Sequence, residues 1–193
     1  VALGLSPDLF YVGLLSRLTP GKEISFFLNV LTRLPQHIHL VLAGYWEDVS
    51  YRIQIQDLLD QYGCHHRVHQ IGFLSDIRPA LHAIDMLCIP SKTEAFPLIA
   101  LEAMACQKPV LAHPVGGIPE MIAHQQEGLH IRQDDEDDWV QHINRLDQDR
   151  QLCQQLGERA LLKSRSFRLS DTIQKVEAYY QTILTDFSLP KPV

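Results

Sequence analysis
Six short apolar runs, separated by stretches of helical period, constrain the fold of this 193-residue chain more than any single residue does. The runs are Phe10–Leu15, His37–Ala43, Arg67–Ile71, Met86–Ile89, Pro109–Ala112 and Leu129–Ile131. Between the first two, Ile24, Phe27, Leu28, Leu31 and Leu34 recur at helical spacing; Val49, Ile53, Leu58, Leu59 and Tyr62 do so more loosely in the next gap. A third helix is expected to open near Asp76 and a fourth at Pro97, where the missing proline N–H would go unbonded anyway. Strands that alternate with helices require a parallel sheet covered on both faces, so the chain reads as α/β with a doubly wound sheet of about six strands. Beyond Gln133 no strand signal remains. Asp134–Leu146, Gln151–Lys163 and Ser170–Thr185 read as extra C-terminal helices, the last with an apolar face of Ile173, Val176, Tyr180, Ile183 and Phe187.

The run Ser91-Lys92-Thr93-Glu94-Ala95-Phe96-Pro97-Leu98-Ile99-Ala100-Leu101-Glu102-Ala103-Met104-Ala105 carries the chemistry. It follows an apolar strand ending at Ile89-Pro90, so Glu94 sits in a loop at the carboxyl end of a strand. Glu102 lies within the helix beyond, seven residues separating the two. Ligands of open α/β sheets bind beyond the carboxyl ends of the strands, where helix N-termini offer N–H groups to phosphate. Two carboxylates there would repel a bare anion, but they suit the hydroxyl groups at either end of a nucleoside-diphosphate sugar.

On these residues the chain resembles the retaining glycosyltransferases of GT-B architecture, glycosyltransferase family 4 (glycosyl transferases group 1). Glu94-Ala95-Phe96-Pro97-Leu98-Ile99-Ala100-Leu101-Glu102 is similar to the family's paired-glutamate segment. Val12-Gly13-Leu14-Leu15-Ser16-Arg17-Leu18 with Lys22 resembles its first strand and Arg/Lys pair. Leu40-Val41-Leu42-Ala43-Gly44 resembles its second strand and glycine, and Pro109-Val110-Leu111-Ala112 with Gly116-Gly117-Ile118-Pro119-Glu120 its fifth strand and following turn. The match runs from about Phe10 to Leu146.

The resemblance implies a three-layer Rossmann-like domain at residues 10–187, preceded by an interdomain remnant at 1–9 and followed by a tail at 188–193. The family has two such domains. This chain has room for the donor-nucleotide half, so the N-terminal acceptor-binding domain is expected to be absent and the isolated domain inactive. The expected activity of the whole protein is metal-independent transfer of a hexose-type sugar, with no cofactor beyond the nucleotide sugar itself.

By resemblance Arg17 and Lys22 contact the diphosphate, Arg through its planar fork and Lys as a mobile point charge. Glu94 meets the transferred sugar, and Glu102 the ribose. Backbone groups of Ala95, Phe96 and Leu98 line phosphate and sugar beside Pro97, which cannot donate. Gly44 leaves room for the diphosphate, and Phe73 and Leu74 meet the base. Three departures from the family pattern stand out: Glu23 follows Lys22 where glycine is common, Pro97 replaces a frequent glycine, and Tyr45-Trp46 follows Gly44 in place of small residues.

Seventeen basic against 23 acidic residues argue against a nucleic-acid partner. No apolar run approaches the ~20 residues of a membrane span. Four scattered cysteines without a C-x-x-C pair read as reduced thiols, which suits a cytoplasmic protein, with peripheral membrane association left open for the full-length chain. His65, His66 and His69 lack a metal-ligand spacing. The acidic run Asp134–Asp138 reads as helix N-capping. Two other readings stay open: a non-catalytic nucleotide-sugar-binding module, and a nucleotide-sugar epimerase of the same architecture.

Overall fold
The computed structural model describes residues 3–186. Six parallel strands form one sheet: β1 (Phe10–Leu15), β2 (Ile38–Ala43), β3 (Val68–Gly72), β4 (Met86–Ile89), β5 (Val110–Ala112) and β6 (Gly128–His130), in the order β3-β2-β1-β4-β5-β6. The helices are α1 (Ile24–Thr32), α2 (Val49–Tyr62), α3 (Arg78–Ala83), α4 (Leu98–Ala105), α5 (Ile118–Met121), α6 (Glu136–Gln148), α7 (Arg150–Ser164) and α8 (Leu169–Asp186). Of these, the short α5 was not foreseen; its sequence reads as a turn because Gly116, Gly117 and Pro119 crowd its start.

The order of burial explains why the strands read as unbroken apolar runs. In β1, Phe10, Val12 and Leu14 pack on one face with Phe27 and Leu31 of α1, Ile55 of α2 and Trp139 of α6. Tyr11 and Leu15 face the other way, toward Leu81 of α3, Met104 of α4 and Ala160 of α7. A strand buried on both sides has no polar alternation to show. The stretch before β1 packs too: Leu5 is buried, and Ser6 donates its N–H to the Tyr11 hydroxyl at 3.0 Å. At the other end, Ile173, Val176 and Tyr180 of α8 are exposed, whereas Phe187 lies outside the described residues.

Arg67 is buried and donates to the carbonyls of Leu34, Pro35 and Ile38, fixing the turn into β2. Beside it, His39 Nδ1 lies 2.9 Å from His69 Nε2, the rings stacked. Burial pushes His39 and His69 down, His39 further through its neighbour, and burial also lowers His113. A base whose folded pKa is depressed contributes stability above its unfolded value of about 6.5, and that stability is lost as pH falls through it. His124 is lowered as well, by burial and by His130 and His142, so stability should fall between pH 7 and 5.5. Urea unfolding at the two pH values measures it, and equal stabilities would refute it.

Candidate functional site
Strands β1 and β4 are neighbours, yet the chain leaves them in opposite directions, toward β2 from one and β5 from the other. The loops at their carboxyl ends therefore diverge and leave a crevice, the usual ligand position of such sheets. Ser16, Arg17 and Lys22 enter it from the loop after β1, Ser91, Glu94 and Pro97 from the loop after β4.

Lys22 Nζ lies 2.6 Å from Glu94 Oε1, with side-chain exposures of 23% and 11%. Lys22 ends a 3-10 turn, Pro20–Lys22, which closes when Glu23 N–H donates to the Pro20 carbonyl at 2.9 Å. Glu23 does this in the left-handed region, at φ 55°. A glycine would adopt that conformation without the ~1–2 kcal/mol strain of an L side chain, which accounts for the glycine expected here. The Glu23 carboxylate faces Lys92 at 3.7 Å, and Lys92 also meets Asp134 at 3.4 Å. Its charge is thus directed to Lys92.

The Glu94 loop rests on the turn after β5. Gly117 N–H donates to the Ala95 carbonyl at 2.8 Å. Gly116 has φ +56°, and a Cβ there would lie 1.5 Å from the Glu94 carbonyl oxygen. The two glycines are therefore the platform on which Glu94 is held.

One expectation is corrected, and another gains a second reason. Pro97 is the N-cap of α4, with ψ 105°, not its first helical residue; its own carbonyl accepts from Ala100 N–H at 3.0 Å. Helix α4 thus opens with the N–H groups of Leu98 and Ile99. Gly44 is required by the protein's own backbone, since at φ +147° a Cβ would lie 1.7 Å from the Ser16 carbonyl oxygen. It holds the loops after β1 and β2 against each other and still lines the cleft.

Next to the polar crevice lies an apolar recess formed by Gly44, Tyr45, Phe73, Leu74, Ile77 and Ile99. The Tyr45 and Phe73 rings meet edge to face at 6.3 Å. Trp46, by contrast, turns inward onto Tyr51, 6.1 Å between ring centres. The two aromatics after Gly44 thus divide, one lining the cleft and one covering the core. The crevice holds about 160 Å³ and the recess about 250 Å³. Either alone falls short of the ~300 Å³ at which ligand pockets begin. They share Leu15, Ser16, Arg17 and Ile99, so an elongated ligand would span both.

Ala95 and Phe96 border the outer side of the crevice with Thr19 and Gly21. The Leu98 side chain is exposed, leaving its N–H as its contribution. Glu102 is exposed on α4, one turn beyond Ile99, and its side chain does not line the crevice or the recess.

Arg17 does not lie free. Its Nη1 is 2.7 Å from Glu47 Oε1, and that hydrogen bond and charge raise its pKa. Sequence reasoning missed Glu47. The signal was available, since it stands three residues after Gly44 on the edge where Arg17 emerges.

The other conspicuous groups are structural. His65 pairs with Asp60 at 2.7 Å, and the described residues contain no group of three His, Cys, Asp or Glu side chains poised for a metal. Asp135 caps α6 by accepting from Asp138 N–H at 2.9 Å, and Asp137 and Glu136 pair with Arg33. The cysteines are free.

Residues 2–163 match the sequence profile of the family described as glycosyl transferases group 1. The chain is 30% identical over 198 residues to a D-inositol 3-phosphate glycosyltransferase of Mycobacterium marinum, an alignment covering 97% of this chain and 41% of that one. It superimposes on Anabaena HepE in complex with UDP and glucose with a TM-score of 0.86 and 26% identity, covering 91% and 49% of the two chains. The C-terminal domain of a glycosyl transferase group 1 family protein (LpcC) from Francisella tularensis shares the fold, with a TM-score of 0.75, 21% identity and 87% of that chain covered. The chain thus spans two fifths to half the length of the longer relatives.

Proposed function
The chain belongs to the glycosyl transferases group 1 family, and from that premise we propose that it is the nucleotide-sugar-binding half of a retaining, metal-independent glycosyltransferase. The observation that carries the reading is the Lys22–Glu94 pair, 2.6 Å apart at the switch point of the sheet and beside the N-terminus of α4. HepE, which has this fold, is described with UDP, with UDP and glucose, and with UDP-glucose, which makes a uridine diphosphate sugar the first donor to try.

In this reading the base lies in the Tyr45–Phe73 recess and the diphosphate in the crevice. Cleavage of the bond between the sugar's anomeric carbon and the β-phosphate oxygen leaves a growing negative charge on the diphosphate. Lys22, Arg17 and the first N–H groups of α4 stabilise it, Lys22 turning from Glu94 toward the phosphate as it does so. Glu94 accepts from sugar hydroxyls, and Glu102, outside both cavities one turn beyond Ile99, would have to swing toward them to accept from the ribose. The acceptor attacks from the same face as the leaving group, and its hydroxyl proton passes to the departing phosphate oxygen. The N-terminal acceptor-binding domain would hold the acceptor, so this chain alone should transfer no sugar. No helix among the described residues is long and apolar enough to cross a membrane.

Calorimetry with UDP tests this. Lys22→Ala should weaken binding about 10- to 100-fold, the worth of a hydrogen bond to a charged group, and EDTA should change nothing. Binding that survives Lys22→Ala intact, or disappears with chelator, would overturn the reading.

A further inference from the structure
We infer that Glu47 is a positioning residue, holding the Arg17 guanidinium at the lip of the crevice so that a nucleoside diphosphate meets a cation already in place. The inference rests on the donor-site reading above. Its basis is a continuous line of contacts across the mouth of the cleft. Phe73 and Tyr45 meet edge to face, the Tyr45 hydroxyl donates to Glu47 Oε1 at 3.4 Å, and that oxygen accepts from Arg17 Nη1 at 2.7 Å. The line runs from the apolar recess to the cation, the two places where base and phosphate would sit.

Each cation of the cleft therefore has its own carboxylate, Lys22 on Glu94 and Arg17 on Glu47. The pairs differ in setting. Lys22 and Glu94 are mostly covered, whereas Arg17 and Glu47 side chains are 61% and 37% exposed. An exposed pair adds little to stability, so folding gives no reason for it. It does limit where the guanidinium goes. Arg17 commits an N–H to Glu47 and also interacts with the Tyr45 side chain, and its remaining N–H groups stay available to phosphate oxygens. Glu47 thus orients Arg17 without saturating it. Its own repulsion of the diphosphate is weakened by water and salt at this exposure. Ordering a long side chain in advance spares that ordering on binding, which is worth about 2- to 12-fold in affinity.

The test is calorimetry in about 0.15 M salt on the 193-residue chain, with UDP and uridine as probes. Glu47→Ala should weaken UDP about 2- to 12-fold and leave uridine unchanged, because uridine has no phosphate for Arg17 to meet. Glu47→Gln should recover part of the loss, since its amide oxygen still accepts from Arg17. In an Arg17→Ala background Glu47→Ala should have no effect, as a residue acting only through Arg17 must. Unchanged or tighter UDP binding by Glu47→Ala, or an effect that persists without Arg17, overturns the inference. Lys22→Ala separates the two levels. If it and Arg17→Ala both spare UDP, the donor site itself falls; if they weaken UDP and Glu47→Ala does not, Glu47 alone is misassigned.

Discussion

Glu94→Gln should hold plain UDP more tightly than the parent chain while losing most of its preference for UDP-glucose. The two effects have one cause. Without ligand, Lys22 is neutralised by Glu94 at 2.6 Å in a setting where water screens little. Replacing the carboxylate by an amide of the same shape frees that cation, so the diphosphate gains. The sugar loses its charged acceptor, a bond worth ~1.5–3 kcal/mol, and the ratio of UDP-glucose to UDP affinity should fall about 10- to 100-fold. Reading the ratio by calorimetry cancels any general change in the pocket. A ratio equal to the parent's would mean that Glu94 does not face the sugar. Glu102→Gln is the contrast: if Glu102 meets the ribose, both ligands should weaken together and the ratio should stay put.

The second large effect belongs to a residue that touches no ligand. Gly116→Ala places a Cβ 1.5 Å from the Glu94 carbonyl oxygen, at a φ of +56°. The left-handed backbone costs about 1–2 kcal/mol, and relieving an overlap against rigid backbone costs about 1–3 more. For a domain of this size ~3 kcal/mol lowers Tm by roughly 6–12 °C. Gly63→Ala supplies the control. Gly63 caps α2 at φ +61° with nothing within 4 Å of a Cβ, so it carries the strain without the collision. Its drop should be less than half as large, and UDP-glucose binding should survive in it while weakening in Gly116→Ala. Equal drops in Tm would show that the Glu94 loop yields freely to the turn after β5.

The contrast between these sites shows what the sequence could disclose. The inner strands were legible to within a residue or two because burial on both faces leaves mostly apolar side chains, as in Phe10–Leu15 and Met86–Ile89, whereas the edge strand β3 carries His69 and an exposed Gln70. Lys22 and Glu94 were legible as members of one site because both follow strands whose carboxyl ends must share an edge. The reasons behind the glycines were not legible. Gly44 and Gly116 are fixed by carbonyl groups of Ser16 and Glu94, far away in sequence, and no local pattern announces a backbone neighbour. Pro97 misled by one position, because proline serves at an N-cap as well as inside the first turn. Glu47 went unseen for a different reason. The adjacent Tyr45-Trp46 pair drew the reading, and only coordinates separate a ring facing the cleft from one facing the core.

The switch point also bears on how the chain folds. The strands β1 and β4 that frame the crevice lie side by side, but the residues they bring together, Lys22 and Glu94, are 72 positions apart in the chain. Between β1 and β4 lie α1, β2, α2, β3 and α3, and β1, β2 and β3 together make half of the six-stranded sheet. Closing a loop of that length is an entropic toll met before any contact across it forms. The first half of the chain can thus acquire strands and helices while holding only one side of the crevice, the cation without its carboxylate. Affinity for a nucleotide then requires β4 and α4 to dock beside β1, and it reports on that docking in a way that helix content does not.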